Sequence, residues 1–176
     1  MSGGGTWYYD IHGWIFGSIA SDNAVKGTDA GDQPEHSFIE AYDFTTFNVH
    51  IKDKWRSVYW GIARANEVID AVAESADGPD PVEAGRAAQI IAEARFLRGF
   101  AALQGQLHFR NPSYFDDAQY DVSNVDSSKV PNTGPIWDQI IADFTAAASA
   151  LPSTQSDLGR ATSWAAKAFL AKTHMP

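Results

Sequence analysis

The sequence contains no cysteine, few basic residues and no long apolar run, and each of these absences excludes a class of function. Without cysteine, the chain has no disulfide, no thiolate metal site and no cysteine nucleophile. Thirteen lysines and arginines stand against twenty-two aspartates and glutamates, giving a formal net charge of −9. Because such a surface repels phosphate backbones and anionic lipids, we expect no nucleic-acid partner. No segment approaches the ~20 apolar residues of a membrane-spanning helix.

The motifs that mark common active sites are also missing. The five histidines are scattered, and no His-x-x-x-His pair or Asp-x-Asp-x-Asp-Gly loop indicates a metal. No nucleophile elbow, dinucleotide-binding glycine loop or P-loop occurs. Carboxylates are abundant, but glycoside hydrolysis requires one with a raised pKa beside a sugar cleft, and the sequence identifies no such pair. We therefore predict a protein without catalytic residues, metal or cofactor.

The composition that is present is that of a packed globular domain. Apolar residues make up 44% of the chain and charged residues 20%, which excludes disordered and fibrous classes. At 176 residues, one core is expected. The glycine-rich residues 1–6 predict a flexible or engineered start, and residues 7–176 are expected to form the domain.

Apolar residues recur every three or four positions in five segments, which predicts five helices. In the third, Asp80, Pro81 and Glu83 resemble an N-cap, a first-turn proline and a capping-box carboxylate. Inward-facing side chains are expected to include Trp55 and Leu97. The predicted helices cover residues 7–19, 51–74, 81–108, 135–150 and 163–175.

Two stretches between these helices, 21–48 and 111–134, show neither a helical nor a strand period. Loops of this length in compact domains usually carry function, so both are candidate sites. With no strand predicted, the fold class is all-α, and the second and third helices and the fourth and fifth should form antiparallel pairs. Such hairpins are typical of tetratricopeptide-like solenoids, although no clean 34-residue repeat is found. An irregular helical bundle is the alternative.

Four segments, in order along the chain, carry a family resemblance. Ile19-Ala20-Ser21-Asp22 precedes the first long loop, residues 55–69 read WRSVYWGIARANEVI, and residues 92–100 read AEARFLRGF. The fourth segment combines IIADF at 140–144, Leu151-Pro152 and GRATSWAAKAFLAK at 159–172. Together they resemble the N-terminal helical half of the RagB/SusD family, whose members are considerably longer.

The resemblance implies a non-catalytic glycan-binding component of an outer-membrane nutrient uptake system. Such proteins bind oligosaccharide, cap a TonB-dependent, SusC-like transporter and sit on the external face of the outer membrane through a lipid anchor. The resemblance further implies that ligand contacts come from loops over the helical scaffold together with the C-terminal half. A site built from this chain alone is therefore expected to be partial and weak.

The residues that define the resemblance are interpreted as structural. Trp55, Tyr59 and Asn66 lie on the apolar stripe of their helix, where aromatics pack in cores and a buried asparagine satisfies a backbone group. The charged residues of the set are expected to form interhelical ion pairs, Glu93 with Arg95 or Arg98 and Asp143 with Arg160.

Ligand contacts are expected instead from the two long loops, because sugar recognition needs aromatic faces and hydrogen-bonding side chains. The aromatic ring of Phe115 is a further candidate. The predicted contact residues are Asp22, Asn23, Lys26, Asp29, Asp32, His36, Tyr42, Tyr114 and Tyr120.

Two rival functions remain open at this point. A tetratricopeptide-type scaffold would bind peptides in a concave groove, and a groove lined with basic residues would favour it. A carbohydrate-active enzyme would release reducing ends from oligosaccharides. The acidity and the long loops favour the glycan-binding interpretation over the scaffold.

Overall fold

The structure, a computed structural model, describes residues 13–175. The chain divides into two compact units, the first ending at Ser57 and the second beginning at Val58. Regular structure in the described part is entirely helical and contains no strand, so the all-α prediction is confirmed. Within this part of the chain, every helix is too short or too polar to span a bilayer.

The first unit begins with a π-helical turn, Ile15–Ile19. The Ala20 N–H donates to the Ile15 carbonyl over 3.1 Å, which is the i to i+5 bond of a π-helix. The predicted helix over 7–19 is thus wrong in type where it is described, and its residues 7–12 lie outside the described part. Buried Ile15 and Ile19 retain the inward face that the apolar spacing predicted.

A short helix, α1 (Pro34–Glu40), lies inside the stretch predicted to be a loop. Proline in the first turn carries no N–H that would need a partner there, and Glu35 complements the helix dipole. Only His36 and Ile39 are buried. The prediction of an uninterrupted loop over 21–48 is therefore wrong, because seven residues with two buried positions are too few to show a period.

Longer helices make up most of the remaining chain, and four of the five predicted helices are confirmed to within three residues at each end. Helix α3 begins later than predicted because Glu83, rather than Asp80, is its N-cap. The Glu83 carboxylate accepts hydrogen bonds from the N–H groups of Gly85 and Arg86 at 2.8 and 2.9 Å. The helices are α2 (Val49–Ser75), α3 (Ala84–Phe109), α4 (Trp137–Ala150) and α5 (Ser163–Thr173), with a 3₁₀ turn at Val125–Ser128.

Helices α2 and α3 form an antiparallel pair with close backbone contact. A Cβ on Gly61 would meet the Cβ of Ala101 at 2.8 Å, and a Cβ on Gly105 would meet Val58 at 3.0 Å. Residue 58 of α2 lies beside residue 105 of α3, and residue 61 lies beside residue 101. The two helices therefore run in opposite directions. Only glycine permits this approach at residue 61 without displacing the neighbour.

The next two helices continue the same antiparallel packing. Gly99 of α3 lies against Phe144 of α4, and the rings of Phe144 and Phe169 stack with centroids 5.6 Å apart. Alanines bring the helices together further along, at Ala92, Ala147 and Ala166. The tetratricopeptide-like hairpin architecture is thereby confirmed. The fully buried apolar centre of this unit contains Ile62, Leu103, Ile140 and Phe144.

Two inward-facing predictions are wrong, since Trp55 is 41% exposed and Leu97 is 57% exposed. Helix α3 is contacted on two sides and buries small and polar residues, among them Gly99 and Arg98. Because polar and apolar residues are mixed around this helix, no single apolar stripe stands out, and spacing alone misplaces Leu97. Trp55 lies on the same face of α2 as buried Val58, but one turn nearer the start of the helix.

Candidate functional site

The polar candidates at the start of the first loop hold the local backbone in place. The Lys26 ammonium donates to the carbonyls of Asp29 and Asp32. The Asp29 carboxylate accepts from the N–H groups of Gly31 at 2.8 Å and Asp32 at 3.1 Å, forming an Asx turn. Lys26 and Asp29 thus stabilise the 26–32 turn with the groups that were predicted to contact ligand.

Three further candidates lie on the exposed surface of this unit. Asp22 has a left-handed backbone with φ of 59°, and the Asn23 amide donates to the Ser21 hydroxyl at 2.9 Å. The Tyr42 hydroxyl donates to the Ala20 carbonyl, which fixes the end of the ring. The ring itself remains 69% exposed. Tyr42 therefore presents an aromatic face while its polar group is satisfied internally.

His36 occupies a different environment from the other candidates because it is only 4% exposed. Its ring stacks on His50 with centroids 4.1 Å apart and contacts the Trp14 ring edge-on at 5.3 Å. Burial, followed by the adjacent His50, lowers the pKa of His36. The imidazole is thus turned away from the solvent that a ligand would approach through.

A run of exposed rings lies between these two histidines, and we term residues 38–47 the aromatic segment. All four of its aromatic side chains are well exposed, most of all Phe47 at 87%. Only Tyr42 was predicted. The signal that could have identified the others is four aromatic residues within ten positions of a stretch that shows no regular period. The four are Phe38, Tyr42, Phe44 and Phe47.

The electrostatic character of the aromatic segment is acidic. Glu40 and Asp43 lie among the rings, and residues 38–47 contain no lysine or arginine. The charges of the segment itself would repel a carboxylated or sulfated ligand, so the segment favours uncharged ligands.

The candidates of the second loop are joined to the helical core instead. The Tyr114 hydroxyl donates to Asp143 Oδ2 at 2.8 Å, and burial, followed by that carboxylate, raises the pKa of Tyr114. The Tyr120 hydroxyl donates to Glu67 Oε1 at 3.2 Å, and its ring stacks on Phe115. Phe115 is 3% exposed and belongs to the core, so its prediction as a ligand contact is wrong.

The first ion-pair cluster is centred on the buried guanidinium of Arg98. It donates to both carboxylate oxygens of Asp143 at 2.9 and 2.7 Å, to Asn66 Oδ1 at 2.7 Å and to Asp117 Oδ1 at 2.6 Å. Asn66 in turn donates to the Phe115 carbonyl at 3.1 Å. Burial opposes the charge on Arg98, but the hydrogen bonds and charge of Asp143 outweigh it and raise the pKa of Arg98.

The second cluster joins α3 to the segment before α5. Arg160 donates to both carboxylate oxygens of Glu93, at 3.1 Å for the Nε bond, and Gln155 donates to the same carboxylate at 3.0 Å. Burial raises the pKa of Glu93, but the bonds from Arg160 and Gln155 outweigh it and lower that pKa. These contacts hold the two segments in register.

The predicted ion pairs are thus correct in kind but wrong in partner. Arg98 pairs with Asp143 and Arg160 with Glu93, the reverse of the expected assignment. Neither pair involves Arg95, whose buried Nε has no hydrogen-bond partner in the described part. Asn66 agrees with its expected role, and Tyr59 donates to the Ser113 carbonyl at 3.1 Å while stacking on Phe115. These residues connect the helices to the second loop.

No three histidine, aspartate or glutamate side chains converge as metal ligands anywhere in residues 13–175. The two clusters direct their hydrogen bonds inwards, whereas the aromatic segment faces outwards. What this geometry offers a ligand is therefore a set of exposed aromatic faces with acidic neighbours. The role of the predicted contact residues of both loops as ligand contacts stays a prediction.

Comparison with known proteins places this geometry in context. Residues 13–175 match the SusD-like family model described as "Starch-binding associating with outer membrane". A SusD-like protein of Bacteroides ovatus is 34% identical over 137 residues, which make up 75% of this chain and 24% of that protein. The chain therefore spans about a quarter of the length of that curated relative.

Solved structures share the fold over nearly the whole chain. A laminarin-binding SusD-like protein has a TM-score of 0.70 at 21% identity, covering 96% of this chain and 38% of that one. A protein crystallised with a xylogluco-oligosaccharide has a TM-score of 0.68 at 24% identity, and the match covers 96% of this chain and 31% of that protein. A SusD-like protein from Bacteroides fragilis gives 0.68 at 15% identity, covering 98% and 36%.

Proposed function

Because the chain belongs to the SusD-like family, we propose that it is the helical part of a non-catalytic glycan-binding protein of the outer membrane. In this proposal the whole protein sits at the external face, attached by a lipid anchor, and passes oligosaccharide to a TonB-dependent, SusC-like transporter. The aromatic segment contributes to the surface that contacts the sugar. The observation that carries the proposal is the exposure of four aromatic rings within residues 38–47.

Exposed rings in this number need a physical explanation. Single exposed apolar residues are ordinary on protein surfaces, but several large exposed rings within ten residues of chain indicate a candidate binding surface. The Phe47 ring, 87% exposed, leaves almost all its apolar surface in water. The apolar face of a sugar ring would cover such a surface while the sugar hydroxyls remain hydrated or bond to nearby polar groups. The segment is therefore suited to flat, uncharged sugar rings.

The charge pattern narrows the ligand class. Glu40 and Asp43 carry the only charges of the aromatic segment, in a chain whose formal net charge is −9. Uronic acids and sulfated sugars would be repelled at low ionic strength, whereas neutral hexose and pentose polymers would not. The proteins described above as laminarin-binding and as crystallised with a xylogluco-oligosaccharide illustrate such ligands within this fold. We infer neutral oligosaccharides as the ligand class of this chain.

Affinity of the isolated chain should be low. Stacking and hydroxyl hydrogen bonds each exchange against water and add little net free energy, so many contacts must act together. The chain spans 24% of the B. ovatus relative, and the family resemblance assigns part of the site to the remaining length. Ordering loop residues on binding costs a further ~1–2 kcal/mol for each residue fixed.

Isothermal titration with neutral and uronic-acid oligosaccharides tests the proposal. Neutral ligands should bind, and Phe47→Ala should weaken them roughly threefold to tenfold, corresponding to about 1 kcal/mol of lost contact. Trp164→Ala is the matched control, because Trp164 is an aromatic residue of α5 with 65% exposure. Equal effects of the two substitutions, or tighter binding of the acidic ligands, would contradict the proposed site.

Two further measurements address the other parts of the proposal. Incubation with the same oligosaccharides should release no new reducing ends, and their release would instead support the carbohydrate-active enzyme. Expression of the full-length protein in its native membrane, followed by affinity purification, should recover a TonB-dependent transporter. Recovery of the full-length protein without a transporter would overturn that partnership.

A further inference from the structure

We infer that His36 and His50 are positioning residues that close the aromatic segment into a loop at neutral pH and release it in acid. This inference rests on the proposed function for its consequence, glycan affinity, but not for its structural content. The two histidines bracket residues 37–49, which include the entire aromatic segment. The contact between the two histidine rings therefore determines whether the four aromatic rings are held in one arrangement.

The two histidines are in direct contact through their rings. The imidazole of His36, on α1, stacks on that of His50, in the first turn of α2, with centroids 4.1 Å apart and planes inclined by 28°. Trp14 closes the other side of His36 with an edge-on contact. His36 is 4% exposed, and its Nε2 has no hydrogen-bond partner among residues 13–175. An uncharged ring suits this position, because a protonated one would bury an unsatisfied N–H donor.

A second tie joins the same two ends of the segment. The Asn48 side-chain amide donates to the Glu35 carbonyl at 3.0 Å. Its Oδ1 accepts from the His50 N–H at 3.0 Å and so caps the start of α2. The connection between the two helices, residues 41–48, has the length and the adjacent ends of an Ω-loop, a type of loop that is frequently functional. The Asn48 tie does not titrate, so the histidine pair is the part of the bracket that responds to pH.

The charged groups facing the pair come from several elements. His36 faces His50, Lys26, Glu35 and Asp32, while His50 faces Glu35 and Asp53. Burial is the main effect that opposes protonation of both rings, and at His36 the neighbouring His50 and Lys26 add to it. Glu35 and the aspartates favour protonation. The opposing effects prevail, and the pKa values of both rings lie below the ordinary 6.5.

The sign of the pH effect follows from these directions. Each histidine binds protons more readily in the opened loop than in the closed one, so protonation favours opening. The stabilising contribution of the pair is complete above pH 6.5 and declines as the pH falls below it. Two protonated rings at stacking distance also repel each other. The acid form should therefore lose the stacked contact while the Asn48 hydrogen bonds remain available.

Hydrogen exchange and glycan titration, each from pH 7.5 to 5, test the inference on the intact chain. After correction for intrinsic exchange, protection of residues 36–50 should fall in acid in the wild type. Affinity for a neutral oligosaccharide should fall over the same range, because protonation of the pair favours the opened loop. His50→Phe should keep the stacking, the protection and the neutral-pH affinity but show smaller pH effects, and the double variant His36→Phe/His50→Phe should lose them.

Controls separate positioning from general destabilisation. His174→Phe replaces an exposed histidine at the end of α5 and should leave the pH profile of the wild type unchanged. If His50→Phe fails to fold, His36→Phe tests the same claim, because the buried Nε2 makes no hydrogen bond that phenylalanine would remove. Constant protection of residues 36–50 from pH 7.5 to 5 would overturn the inference. Acid loss of protection, together with no binding of neutral oligosaccharides by the full-length protein at any pH, would uphold the inference and refute the proposed function.

Discussion

In residues 58–175, the rings of Phe96, Phe144 and Phe169 pack on one another and Arg98 and Arg160 pair with carboxylates, whereas in residues 38–47 four rings face solvent. Phe144 in the helical unit is fully buried, while Phe47 is 87% exposed. The Arg98 guanidinium makes four hydrogen bonds to three side chains within the second unit. The same residue types thus serve packing in one region and remain available to a ligand in the other.

This contrast indicates how resemblance and exposure should be weighed in locating a site. The residues that define the family resemblance, such as Asn66 and Arg98, connect helices and loops inside the second unit. The aromatic segment carries none of these signature residues, yet it presents the surface that a sugar could cover. Disruption of each region should therefore produce a different kind of defect.

The largest effect is expected from Arg98→Met. It removes the partner of Asp143, which is 4% exposed, and leaves an uncompensated buried carboxylate. Urea unfolding should show a loss of about 3–5 kcal/mol. Adding Asp143→Leu should recover part of that loss, because the unpaired charge is removed as well. A loss below about 1 kcal/mol would mean that water compensates Asp143 and that the cluster is not a structural centre.

An intermediate effect is expected from Trp55→Ala. A fully buried tryptophan would cost ~3–5 kcal/mol on truncation, but Trp55 is 41% exposed and has less apolar surface to lose. We therefore expect a loss of about 1–2 kcal/mol in the same urea experiment. Phe144→Ala provides the comparison, since its ring is completely buried and should show the full cost. Equal losses of stability for Trp55→Ala and Phe144→Ala would contradict this expectation and indicate that Trp55 packs in the core.

The smallest of these effects on stability is expected from Arg160→Gln. Its side chain is 32% exposed, so solvent screens the pair with Glu93, and Gln155 continues to donate to that carboxylate. The thermal midpoint should fall less than for Arg98→Met and should depend on salt. Arg56→Gln, which removes a 3.5 Å surface pair with Asp53, should leave the midpoint unchanged. If the thermal midpoint of Arg160→Gln were as low as that of Arg98→Met, the two clusters would contribute equally to stability.

Much of the helical unit could be predicted from the sequence because long amphipathic helices repeat their signal over many turns. Helix α2 was placed to within two residues at each end. Helix α1 was missed because it has only two buried residues, although Pro34 followed by Glu35 is a recognisable helix start. Short elements held by tertiary contacts give too few positions for periodicity to detect.

The partners within the two ion pairs could not be predicted from the sequence, because they depend on how the helices align. The sequence shows that Glu93, Arg98, Asp143 and Arg160 are charged, but their pairing depends on the register between α3, α4 and the segment before α5. Gly99 and the alanines lie at the close contacts that fix that register. In the candidate site, Tyr42 was identified by residue type, whereas the exposure of Phe47 depends on how the loop closes.

The most direct test of the division between the two regions is a paired measurement of oligosaccharide Kd and thermal midpoint on Phe47→Ala and Arg160→Gln. The account predicts that Phe47→Ala raises the Kd for a neutral oligosaccharide and leaves the Tm unchanged. Arg160→Gln should lower the Tm and leave the Kd unchanged. A lowered Tm with unaltered Kd for Phe47→Ala would show that the aromatic segment is part of the packing, and would contradict the account.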